Sequence, residues 1–153
     1  MNNGNAVQDQ ILISIRQIKD IDFFANQSID LKPEESSILF ENNINFNFKD
    51  DYIEFFLTVI YKEKQRQEEF LRYKCSTSFN VVDLGRFKSK EEGEKINFPE
   101  MALASMLGIT LSHARALLAK NASGTKFAQF YLPIINPTDM LRTVMKEGAP
   151  SGG

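Results

Sequence analysis

The feature that most constrains this chain is a strict two-residue alternation between positions 40 and 48. Phe40, Ile44, Phe46 and Phe48 share a parity with Asn42, while Glu41, Asn43, Asn45, Asn47 and Lys49 take the other. Successive side chains of a strand point to opposite faces, so this run predicts a strand with one buried and one wet face. Three further segments extend the pattern. Ile11, Ile13 and Ile15 alternate with Leu12, Ser14 and Arg16, and the apolar phase then slips to Ile18, Ile21 and Phe23-Phe24, which predicts a bulge or bend in a long first strand. Ile53, Phe55, Leu57, Val59 and Tyr61 form one face of a third strand. Leu71, Tyr73, Cys75, Thr77, Phe79 and Val81 form one face of a fourth. The polar run KEKQRQ at 62–67 reads as the turn between them, its charges kept outside. Four such segments with short connections suit an antiparallel sheet.

The second half changes period. After the charged loop FKSKEEGEK, a helix is expected from near Phe98 to about Asn121, with Asn97 as cap, Pro99 in the first turn and Glu100 complementing the dipole. Residues 130–135 read as extended. Asn136 then caps a second helix with Pro137 first, Asp139 in its first turn, and Met140, Leu141, Val144 and Met145 as its apolar stripe. The expected fold is therefore α+β: a four-stranded antiparallel sheet, a long helix and a short C-terminal helix. One domain spans residues 10–147. The Gly-, Asn- and Ser-rich ends, 1–9 and 148–153, are expected to be disordered tails.

Two patterns exceed what one chain hides. The third strand carries Tyr52, Phe56 and Ile60 on its second face, yet a single helical layer covers one face only. The long helix is apolar around most of its girth and has small residues at four-residue spacing: Ala104, Gly108, Ser112 and Ala116. Together with Ile13 and Ile15 these residues are expected to form a self-association interface, helices of different subunits meeting between sheets. Thirteen phenylalanines and no tryptophan point the same way: the rings serve either a Phe-rich core or an open groove.

Chemistry is hard to find. His113 is the only histidine and Ser112 its neighbour, but adjacent helical positions do not face each other, so no nucleophile–base pair results. Cys75 alternates with apolar residues and reads as a buried small side chain. Asp50-Asp51 and Glu91-Glu92 sit in polar turns, which does not make a metal site, and the scattered glycines form no phosphate loop. No enzyme and no cofactor are expected. A net charge of −2 gives no footprint for nucleic acid or an anionic membrane surface. No signal-peptide pattern or membrane-length apolar run is read in the sequence, and a single cysteine fits a reducing compartment, so a cytoplasmic protein is expected.

Several segments resemble the SecB family of chaperones. Ile18-Lys19-Asp20-Ile21-Asp22-Phe23 resembles the family's first-strand KDISFE segment, and Asp51 through Val59 resembles DVYEVVLRVTV. Phe70-Leu71 enters the fourth strand as FLCEV does, and Phe98-Pro99 opens the long helix as in LFPYAR. Gly124-Thr125 followed by Leu132-Pro133-Ile134-Ile135-Asn136 resembles GTFPQLNLAPVNF. The matches run in order over nearly the whole chain. The stretch from Ser112-His113-Ala114-Arg115-Ala116 to Pro137 is closer to SecB-like branches than to the proteobacterial type.

The resemblance implies a homo-oligomer, a dimer of dimers with long helices between two sheets, and apolar grooves that hold extended, unfolded client polypeptides without ATP. The residues expected to line such a groove are Phe24, Phe46, Phe48, Phe87, Phe127, Phe130, Tyr131 and Leu132. The family's export motor, the SecA ATPase, docks on an acidic sheet surface. Here Asp20 matches that surface, while other acidic positions fall at Phe24 and at or near Tyr73, beside Arg72 and Lys74. Opposite-sign substitutions oppose docking. A general holdase, a chaperone dedicated to one partner such as an antitoxin, and an oligomeric adaptor for one folded partner all remain open.

Overall fold

A computed structural model of the chain describes residues 10–31, 38–88 and 97–147. The two expected tails and most of the charged loop after residue 88 lie outside the described residues. Four strands, β1 (Ile13–Ala25), β2 (Ile38–Phe48), β3 (Tyr52–Glu63) and β4 (Glu68–Val81), form one antiparallel sheet in the order β1-β4-β3-β2. The helices α1 (Glu100–Ala122) and α2 (Pro137–Glu147) follow. The expected α+β architecture is the observed one.

The alternation dictates the layers. Ile53, Phe55, Leu57 and Val59 of β3 face the same side as Tyr73, Cys75, Thr77 and Phe79 of β4, and all are buried. Against this face α1 buries Leu103, Met106, Leu107, Thr110, Leu111, Ala114, Leu118 and Ala122. Removing that much apolar surface from water, at about 25 cal/mol per Å², is what holds helix to sheet. The same apolar content gives α1 an 18-residue window of mean hydropathy 1.3, so a run of membrane-spanning length does exist by composition. A core helix reaches that value because its inner face is buried.

The phase slip in the first strand is two register shifts against β4, between Ile15 and Gln17 and between Asp20 and Asp22. The turn between β3 and β4 is shorter than the composition suggests. Lys62 and Glu63 still belong to β3. Glu63 is buried, not solvated, and its carboxylate accepts from the backbone N–H of Gln65 at 3.1 Å and Arg66 at 2.8 Å. The Arg66 guanidinium stands 3.9 Å from the same carboxylate, so amide donors and a cation together hold it under the chain.

The long helix starts two residues later than expected, at Glu100. Pro99 is the N-cap and Asn97 is not; Pro99 contributes only its carbonyl, accepting from Ala102 and Leu103 at 3.1 Å. Before it, Leu84–Phe87 forms a 3-10 turn unforeseen in the sequence. The cap of α2 is as expected: Asn136 Oδ1 accepts from the backbone N–H of Asp139 at 3.1 Å.

The outer sheet face needs no second layer to half-bury its apolar row. The Arg16 guanidinium lies 3.8 Å from the Tyr52 ring centroid, Ile60 sits between the long side chains of Glu41 and Arg72, and Phe56 sits between Asn45 and Ser76.

Candidate functional site

Two aromatic clusters anchor the inner face. At one end Phe70 packs against Phe127 (centroids 5.1 Å) and Phe130 (5.5 Å), and Tyr61 stacks on Phe40 (5.0 Å) and Phe130 (5.5 Å). At the other, Phe46 meets Phe48 and Phe55, Phe48 meets Phe98, and Phe87 packs on Phe98 at 4.8 Å. Edge-to-face pairs at these spacings stabilise both ends beyond simple area burial.

Between α1 and α2 the chain runs extended as a strap across the first cluster. Phe130 is half-buried in the cluster and Leu132 is buried, while Tyr131 is 61% exposed and Ile134 95% exposed. Beyond the strap a cleft of about 650 Å³ opens between the free edge strand β2 and α2. Asn42, Asn43, Ile44 and Asn45 line one side; Ile135, Asn136, Asp139, Met140, Thr143 and Val144 line the other. A second hollow of about 820 Å³ lies at the β2–β3 turn, lined by Phe46, Phe48, Tyr52 and charged residues including Lys88. Asparagine amides both donate and accept, so the β2 wall suits the peptide backbone of an extended chain, while the helix side offers apolar contact.

The predicted groove residues divide. Phe130 and Tyr131 lie on the strap, and Phe46, Phe48 and Phe87 are half-buried near the second hollow. Phe127 and Leu132 are corrections. Phe127 is wholly enclosed under the turn that ends α1, and Leu132 is turned into the core, so neither offers surface. Phe24 is 39% exposed but lies apart from the other candidates: it pairs with Arg72 on the face opposite α1, with the guanidinium 5.2 Å from its ring. Ile134 and Met145 were missed. Two-residue alternation places Ile134 with buried Leu132, whereas the strap exposes Tyr131 and Ile134, three apart.

The small-residue ridge also divides. Four-residue spacing overshoots a helical turn by about 40° per step, so the ridge drifts around the helix. Ala104 and Gly108 are half-buried, and a Cβ on Gly108 would meet Pro137 Cγ at 3.3 Å. The chain's own α2 therefore takes the close approach at Gly108. Ser112 and Ala116 remain exposed, with Ile109 beside them. Ile13 is half-buried and Ile15 is 48% exposed; Ile18, unforeseen, is 44% exposed on the same edge strand.

Tyr73, placed at a docking position by the resemblance, is buried on the inner face beside Cys75 and cannot reach a partner. Asp20 is exposed, and its Oδ2 accepts from Asn121 Nδ2 at 3.0 Å, tying β1 to the end of α1. On the outer face acids meet bases: Asp22 and Glu69 meet Arg72 at 3.1 and 2.7 Å, Glu41 meets Lys62 at 3.1 Å, and Glu54 lies 3.8 Å from Lys19.

His113 Nδ1 lies 3.1 Å from Thr77 Oγ1, and desolvation lowers the imidazole below its ordinary pKa. Burial pushes the Cys75 thiol up to about 11. Among the described residues no group of three or more His, Cys, Asp or Glu is placed to hold a metal ion.

No protein-family model matches the sequence, and no curated protein matches it either. The solved structures do hold a likeness. The fold is similar to that of the Mycobacterium tuberculosis Rv1957 SecB-like chaperone, solved in complex with a ChAD peptide from the Rv1956 HigA1 antitoxin. The TM-score is 0.50 over 80% of this chain and 89% of that chain, at 11% sequence identity. The fold is SecB-like. Within the SecB-like plan, the strap is the segment that joins the two helices, and the cleft lies between the sheet edge and the second helix.

Proposed function

We propose that this chain is an ATP-independent chaperone, a holdase that keeps unfolded polypeptides extended along the strap and the β2–α2 cleft. One observation carries the reading: Tyr131 and Ile134 stand in water next to a cleft with apolar Ile135, Met140 and Val144 on one wall and asparagine amides on the other. Apolar side chains that stand exposed beside an apolar cleft wall make a contiguous patch, which marks an interaction site, and non-directional contact suits many sequences. The SecB-like fold supports it, and so does the peptide bound to the Rv1957 neighbour. Phe46, Phe48 and Phe87 extend the apolar path at the far end, with Met145 added on α2.

In this reading the chain is not an enzyme, works in the cytoplasm, and self-associates as a dimer of dimers through the exposed Ile15, Ile18, Ile109, Ser112 and Ala116. Delivery to the SecA motor is the weaker arm. The acids of the outer face meet basic partners and Tyr73 is buried, which leaves little negative field for a docking partner. The same charge pairing favours a second reading, a chaperone dedicated to one partner, as with the antitoxin peptide of the neighbour.

Light scattering behind size exclusion tests both. A multiple of the 17.5 kDa chain mass that co-elutes with several unrelated reduced, unfolded proteins and ignores their native forms supports the holdase. Co-elution with one unfolded protein among many supports the dedicated reading. A monomer that retains none of them ends both.

A further inference from the structure

The strap is bolted down at three successive peptide units. Tyr61 on β3 donates its hydroxyl to the carbonyl of Tyr131 at 2.9 Å. Arg115 on α1 then donates Nε to the carbonyl of Leu132 at 3.3 Å and Nη2 to the carbonyl of Pro133 at 3.1 Å. Arg115 has no carboxylate partner among the described residues, so its fork serves backbone alone, at the two carbonyls that lie between exposed Tyr131 and Ile134. Burial raises the Tyr61 phenol to about 12, which keeps it a donor at any physiological pH.

An extended segment with no ladder of its own costs roughly 1–2 kcal/mol per residue to fix. A guanidinium fork meets two acceptors from one rigid plane, which no lysine can do. If the strap were loose, each client would have to order it on binding; held in advance, that cost has already been met by folding.

We infer that Arg115 and Tyr61 are positioning residues that hold the strap as a fixed ledge, with Tyr131 and Ile134 presented to the client. Arg115 itself touches no client and acts through the strap. The inference rests on the client-holding reading above, and its test separates the two.

Two measurements are made on the full chain: backbone 15N order parameters at Tyr131, Leu132, Ile134 and Ile135 without client, and affinity for reduced, carboxymethylated α-lactalbumin. Arg115→Met is expected to lower the order parameters of the strap from the rigid range, about 0.85, toward the flexible range below about 0.6, and to weaken binding on the order of tenfold, the loss of hydrogen bonds from a charged donor. Tyr61→Phe does the same to a lesser degree. The decisive readout is a double-mutant cycle: in a Tyr131→Ala/Ile134→Ala background the Arg115→Met penalty on binding should vanish, which a merely stabilising residue would not produce. Arg115→Lys, which keeps charge and stem but not the fork, serves if Arg115→Met does not fold, and should fall between wild type and Arg115→Met.

Unchanged strap order parameters overturn the inference whether or not clients bind. Lowered order parameters with unchanged affinity overturn the positioning role, as does a penalty that survives in the Tyr131→Ala/Ile134→Ala background. If the wild-type chain binds no unfolded protein, the holding reading falls and the positioning role with it, while the order parameters still read the ledge itself.

Discussion

Thr77 Oγ1 and His113 Nδ1 meet 3.1 Å apart at the seam between the sheet and α1, and His113 is the one histidine of the sequence. Desolvation holds the folded-state pKa of His113 below its ordinary 6.5. The unfolded chain therefore binds the proton more readily. The stability that neutral His113 contributes is complete above about pH 6.5 and is lost as pH falls toward the lower folded value. Urea midpoints measured from pH 7.5 to 5.5 should fall more steeply for wild type than for His113→Gln. Parallel slopes would dismiss the effect.

Gly108 and Pro137 set the docking of α2. Gly108→Val puts branched bulk where even a Cβ stands 3.3 Å from Pro137, and should destabilise by about 1–3 kcal/mol as overpacked sites do. Gly108→Ala gains about 1 kcal/mol of helix propensity against that tight contact and should come out near neutral. Chemical denaturation of the two variants reads the difference. A harmless valine would mean that α2 is not seated there.

Phe127 and Tyr131, only four residues apart, should behave as opposites. Phe127→Ala empties a fully buried site beside Phe70 and should cost about 3–5 kcal/mol. Tyr131→Ala should leave stability within about 0.5 kcal/mol and weaken client retention instead. Thermal melts paired with binding assays check this, and a stable Phe127→Ala would return that residue to the groove.

Cys75 should resist chemistry. Its thiol is buried and raised to about 11, so almost none is thiolate at pH 8. Iodoacetamide is expected to leave the native chain unmodified and to label it fully in urea, as read by intact mass. Rapid labelling without denaturant would show that the inner face opens at β4.

Self-association through β1 should yield to charge. Ile18→Glu places a carboxylate on an exposed apolar edge and should lower the mass seen by light scattering toward 17.5 kDa, with the melting temperature of the chain little changed. An unaltered mass would move the interface elsewhere.

The elements that were legible in the sequence are those in which one physical demand dominates. β2 alternates because one face is wet, and Asn136-Pro137-Thr138-Asp139 spells a helix start because each residue meets a separate requirement of the first turn. The apolar phase slip at Ile15–Ile18 announced the first register shift of β1.

The misses have reasons as specific. Phe127 lies in a turn after α1, where no period reports burial. Gly108 and Ser112 share a spacing but not a surface, because the helix rotates between them. Tyr73 is instructive: its alternation with Leu71 and Cys75 already turned it inward, and the resemblance-based placement was the poorer guide.

The two register shifts of β1 bear on a hazard that any exposed edge carries. They divide the strand into Ile13–Ile15, Gln17–Asp20 and Asp22–Ala25, so the ladder with β4 never runs more than four paired residues before losing step. A flat, regular strand from an unrelated chain falls out of phase with such an edge twice along its length, and fibril growth depends on an unbroken repeat. The thirteen-residue border that displays these isoleucines thus lacks the flat, unbroken ladder that edge-to-edge stacking needs. A partner strand that meets this edge in step must therefore carry matching interruptions of its own.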